Sequence, residues 1–80
     1  MRTKTKTSKK PRASELRLFG ERLAAYRHKR GLTQADVAKS LHISVAYVSL
    51  LERGARNPPY TTVVKLAHAL DVTVARLIPA

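Results

Sequence analysis

A metal or proton-transfer centre would have to be built from His28, His42 and His68, and no two of these stand at i, i+4 on one helix or beside a cysteine, of which the chain has none. Serine, histidine and aspartate all occur, yet neither a nucleophile elbow nor a glycine-rich phosphate loop accompanies them. The expectation is therefore no enzyme, no catalytic residue, no metal and no cofactor. The chemistry that the composition does favour is attraction of a polyanion. Lysine and arginine number 16 against five acids, for a net charge of +11. Arg2, Lys4, Lys6, Lys9, Lys10 and Arg12 crowd into the first 14 residues with no acid among them. Nucleic acid is the commonest intracellular polyanion. A solubilising surface is the plainer reading of such charge. An anionic membrane fits worst, because no apolar residue lies between Met1 and Ala13 for insertion.

Eighty residues make one domain that buries only about 60 to 65% of its unfolded surface, too little for a deep pocket. The absence of cysteine removes disulfides and points to an intracellular protein. No apolar run approaches the roughly 18 residues of a membrane span, and none follows the basic start in the manner of a signal peptide. A soluble, unprocessed, cytoplasmic chain is expected.

Residues 1–13 are lysine, arginine, threonine and serine with Pro11, and lack the apolar surface that offsets ordering entropy. They read as a disordered basic arm, and residues 14–80 as the folded domain. Leu16, Phe19, Leu23, Tyr26 and Arg27 recur at helical spacing, with Ser14 as N-cap and Gly31 as stop, so helix 1 should run from about Glu15 to Arg30. Thr33 caps a second helix, with Asp36 three residues on as in a capping box. That helix carries Val37, Ala38 and Leu41 inward and must end near His42, since Ser44 is already the next cap. Helix 3 covers Val45 to Arg53, and Gly54, Asn57, Pro58 and Pro59 interrupt before helix 4 begins at Tyr60. Thr73 to Ile78 allows a short fifth helix. The fold class is all-α.

Two helices of about eight residues joined by a three-residue turn fit a helix-turn-helix. Small Ala38 admits helix 3 close to helix 2, Ile43 fills the corner, and Val48 and Leu51 anchor helix 3. The same spacing leaves Val45, Ala46, Ser49 and Leu50 facing outward.

The segments FGERLAAYR, KRGLTQADVAKSL, ISVAYVSLLERGARNPP and TTVVKLAHALDV together resemble the Cro and phage-repressor family of helix-turn-helix regulators. The resemblance implies a compact five-helix bundle of the repressor DNA-binding-domain type, with helix 3 in the major groove of double-stranded DNA. It implies base contacts by Val45, Ala46, Ser49 and Leu50. Thr33, Gln34, Ser44 and Tyr47, with Arg56 and Asn57 in the following loop, become the phosphate contacts. It also implies an ion pair between Arg27 and Glu52 that joins helix 1 to helix 3. The function implied is a sequence-specific transcriptional regulator, a repressor, acting as a nucleoid-associated homodimer on a two-fold operator. Val74, Leu77 and Ile78 could either support that dimer or close the core. An antitoxin, a restriction-system controller and a protein-interaction module using an apolar helix 3 are the alternatives. The chain departs from the family where His42 and Asp71 replace common glycines, and where apolar Val45, Ala46 and Leu50 replace common polar readers.

Overall fold

The computed structural model describes residues 12–79; Arg2, Lys4, Lys6, Lys9 and Lys10 of the basic arm lie outside the described residues. Five helices follow one another: α1 (Ala13–Lys29), α2 (Gln34–Leu41), α3 (Val45–Glu52), α4 (Tyr60–Leu70) and α5 (Val74–Leu77). Among the described residues there is no strand, and no helix is long and apolar enough to cross a membrane.

Helix α1 starts two residues earlier than its spacing predicts, with Arg12 rather than Ser14 as N-cap. The reason is Glu15, whose Oε1 accepts a hydrogen bond from the Arg12 backbone N–H at 2.8 Å and so stabilises an earlier first turn. Helices α2 and α4 end on His42 and Asp71, which adopt left-handed backbone at φ 59° and 57°. Histidine and aspartate enter that region more readily than most residues, which is how both turns form without glycine.

The helices bury Phe19, Leu23, Val37, Ala38, Leu41, Val48, Leu51, Val63, Leu66, Ala67, Leu70 and Leu77 in one core. Leu77 is fully buried, so it closes the core and is not free to face a partner. Gly20 lets α1 lie directly on the end of α3. A Cβ there would stand 2.5 Å from the Leu51 carbonyl oxygen and closer still to that of Glu52.

The same contact aligns Arg27 of α1 with Glu52 of α3. Arg27 Nε donates to Glu52 Oε2 at 2.6 Å and Nη2 to Oε1 at 3.0 Å, with the two side chains only 9% and 7% exposed. Arg27 Nη1 also donates to the Leu32 carbonyl at 2.8 Å, and Gln34 Nε2 donates to Glu52 Oε1 at 2.9 Å. One buried ion pair thus joins α1, α3 and the start of α2. Burial alone would raise the Glu52 pKa, but hydrogen bonds from Arg27 and Gln34, with the Arg27 charge, outweigh it and hold the carboxyl below its ordinary 4.5.

Three measurements of unfolding test this packing. Glu52→Ala should lose about 3 to 5 kcal/mol, because the Arg27 charge is then buried without its partner. A loss under about 1 kcal/mol would equate the pair with an exposed one. Since the folded state depresses the Glu52 pKa, the pair's contribution is present above the ordinary glutamate range and is lost as pH falls through the depressed folded value. Glu52→Gln should flatten that acid limb. Gly20→Ala should destabilise by about 1 to 3 kcal/mol through overpacking, although alanine is the better helix former by about 0.8 to 1 kcal/mol.

Candidate nucleic-acid interface

The turn between α2 and α3 determines what α3 can touch. His42 N–H donates to the Lys39 carbonyl at 3.3 Å and Ile43 N–H to that of Ala38 at 3.0 Å, so α2 ends with its carbonyls satisfied. Ile43 is half-buried at the corner, and Ser44 restarts a helix at once, its Oγ accepting from the Tyr47 N–H at 3.0 Å. Val48 and Leu51 of α3 are then wholly inside. Their opposite face presents Val45, which is 46% exposed, exposed Ala46, and half-buried Ser49 and Leu50. Tyr47 is half-buried and packs against the core.

The starts of α2 and α3 differ in charge. At α2, Thr33 Oγ1 accepts from the Asp36 N–H at 3.0 Å while Asp36 Oδ2 accepts from the Thr33 N–H at 2.8 Å. The hydrogen bonds from Thr33 backbone and side chain lower the Asp36 pKa, so a carboxylate sits in the first turn. Gln34 turns its amide nitrogen to Glu52. An anion at this end therefore meets backbone N–H groups, against the opposing charge of Asp36. At α3 the first turn holds no acid, and Ser44 can still donate its hydroxyl hydrogen outward. The α3 start is electrostatically the better phosphate seat.

Beyond α3, Gly54 at φ 74° turns the chain where any Cβ would strike the Arg17 backbone, 2.8 Å from its Cα. The Ala55 N–H returns to the Leu50 carbonyl at 2.9 Å. Arg53, Arg56 and Asn57 are exposed there, and exposed Arg17 of α1 stands beside them. Arg17 and Arg53 were not among the residues singled out from the sequence. Arg53 was legible as the cation that closes helix 3, whereas the approach of Arg17 depends on α1 and α3 packing across Gly20. Thr33, Gln34, Ser44, Val45, Ala46, Ser49 and Leu50 are brought to the helix-turn-helix, while Arg56 and Asn57 lie on the loop that follows it.

Comparison with known proteins agrees with this geometry. A family model described as a helix-turn-helix domain matches residues 18–77. An uncharacterised HTH-type transcriptional regulator y4dJ of Sinorhizobium fredii is 42% identical over 62 residues, covering 78% of this chain and 80% of that protein. The restriction-modification controller protein C.AhdI from Aeromonas hydrophila superposes with a TM-score of 0.78 at 37% identity, over 81% of this chain and 98% of its own. SinR, described as a master regulator for biofilm formation and solved in complex with DNA, superposes at 0.70 with 30% identity, over 74% and 95%.

The asymmetry between the two helix starts gives a measurable outcome. Asp36→Asn should lower the melting temperature, because the neutral amide is a weaker partner for the first turn of α2. It should also tighten duplex binding by about two- to fivefold at low salt, with the gain fading as salt rises. Weaker binding by a folded Asp36→Asn protein would place the phosphates away from the start of α2.

Proposed function

The chain belongs to the helix-turn-helix domain family of DNA-binding transcriptional regulators, and on that premise we propose that it is a repressor that docks α3 in the major groove of a two-fold operator. The observation that carries the reading is the buried Arg27–Glu52 pair, which holds α3 so that Val45 and Ala46 stand clear of the core. Ser44, with the first N–H groups of α3, seats one phosphate, and Arg56 and Asn57 reach the backbone from the loop. Thr33, whose backbone N–H is taken by Asp36, contributes its hydroxyl hydrogen, and Gln34 contributes its backbone N–H, because its amide nitrogen is turned to Glu52. Tyr47, half-buried two residues after Val45 in the first turn of α3, is the remaining phosphate contact of this reading.

Homodimerisation on two half-sites belongs to the same proposal. Its support is the apolar end of the domain, where Ile78 is 40% exposed and Val74 half-buried. A restriction-system controller is the second reading, favoured by the similarity to C.AhdI; both readings share the groove docking and differ in the genes controlled. A cytoplasmic, nucleoid-associated location follows from either.

Selection from random duplexes tests the proposal directly. It should return an inverted repeat with half-site centres about 10 to 10.5 base pairs apart, and sedimentation on that duplex should give two chains per site. No enriched motif would overturn the regulator reading in favour of a protein-interaction module. Removing residues 1–10, which leaves the Arg12 cap of α1 in place, should weaken binding to all sequences alike. Each lost phosphate contact makes the slope of log affinity against log salt shallower by about 0.9. An unaltered slope would assign those cations to solubility.

A further inference from the structure

The outer face of α3 lacks the side chains that read purines through paired hydrogen bonds. From Val45 to Glu52 there is no arginine, lysine, asparagine or glutamine. Glu52, the only carboxylate in the helix and the natural acceptor for a cytosine amino group, is turned inward with its oxygens taken by Arg27 and Gln34. What remains on the outer face is Val45, Ala46 and the half-buried Leu50, with the hydroxyl of Ser49.

Apolar side chains have one complementary feature in the major groove, the methyl on C5 of thymine. That methyl is a property of the pyrimidine C5 position and not of thymine's hydrogen-bonding edge. Cytosine methylated at C5 puts the same group in the same part of the groove, while the O4 acceptor is replaced by the N4 donor. A hydroxyl donates or accepts as required, so Ser49 imposes no penalty for the exchange. No other side chain on this face distinguishes the paired guanine from adenine.

We propose that the α3 face reads 5-methylpyrimidines as a class, so that C5 methylation turns a cytosine within the site into a favoured base and makes occupancy of DNA depend on methylation. The inference rests on the major-groove docking of α3 proposed above. It goes further, because it assigns the ligand chemistry to the C5 methyl and extends it to a modified base.

The test uses the full chain and the duplex obtained by selection, with affinities measured at one fixed salt concentration. At each position facing α3, a cytosine–guanine pair is compared with its 5-methylcytosine counterpart, and a thymine–adenine pair with uracil–adenine. Each comparison changes one methyl and no hydrogen-bonding group. Burial of one methyl at about 0.8 kcal/mol corresponds to about fourfold in affinity. At contacted positions 5-methylcytosine should therefore bind about fourfold more tightly than cytosine, and uracil about fourfold more weakly than thymine. Both differences should collapse toward unity in Val45→Ala, whose fold is secure because the side chain is half outside. Leu50→Ala, checked by its melting curve, is the second variant.

Equal affinity for cytosine and 5-methylcytosine at every position, or a preference for unmethylated cytosine, overturns the inference. Methyl effects that persist undiminished in both variants also overturn it, since another surface would then be the reader. A protein that selects a motif yet ignores every methyl sinks this inference and leaves the regulator reading intact. Failure to select any motif sinks both.

Discussion

The orientation of α3 relative to α1 and α2 is fixed at one guanidinium, beside the apolar anchors Val48 and Leu51. Arg27 donates to both oxygens of Glu52 on α3 and to the Leu32 carbonyl just before α2, and its Nη2 lies 3.2 Å from His28 Nε2, which accepts in the tautomer that carries its hydrogen on Nδ1. A planar fork of fixed donors suits this duty, and a lysine ammonium could not span the same acceptors. Charge burial of this kind is costly in itself and contributes little net stability against an apolar alternative. Its consequence is geometric. Three consecutive helices are held to one orientation, and Gly20 permits it by letting α1 close on the α3 carbonyls.

That constraint divides labour within the helix-turn-helix. The interior half of α3 is given over to Val48, Leu51 and the paired Glu52, so reading can come only from the first turn and the outward side. Gln34 shows the same division on α2. Its amide nitrogen completes the coordination of Glu52, which ties the start of α2 to the end of α3. The start of α2 therefore exchanges some attraction for phosphate, through Asp36, for a well-capped helix.

Local chemistry made most of the fold legible in the sequence. Thr33 and Ser44 cap the helices they precede, Val48 and Leu51 follow the inward period, and Gly54 stops α3 at a positive φ, all within a few residues of chain. Arg12 as the first cap was less legible, because Ser14 is the more usual capping residue and the decisive group was the Glu15 side chain reaching back. Relations across the fold were the least legible. Nothing local indicates that Gln34 bonds to Glu52, that Arg17 lies against Gly54, or that Leu77 is interior while its neighbour Ile78 is exposed. Exposure of Val45 followed from period alone, whereas the same period did not indicate that Leu50 is half-buried.

Affinity and selectivity must come from different parts of such a molecule. A net charge of +11 supplies attraction to any duplex, and phosphate contacts carry no sequence information directly. A bidentate hydrogen-bonded pair discriminates by about 1 to 3 kcal/mol per base, whereas one methyl contact contributes about 0.8 kcal/mol. An apolar reader is therefore the weaker discriminator at each position, and high nonspecific affinity makes the deficit more serious. Two properties offset it. In the proposed homodimer each methyl contact occurs in both half-sites, so its free energy counts twice. Thymine-rich steps also differ from others in groove width and stiffness, which adds selectivity at bases that no side chain touches. The rigid seating of α3 by Arg27 and Glu52 matters most under these conditions, because a methyl contact falls off within an ångström and survives only on a helix that does not shift.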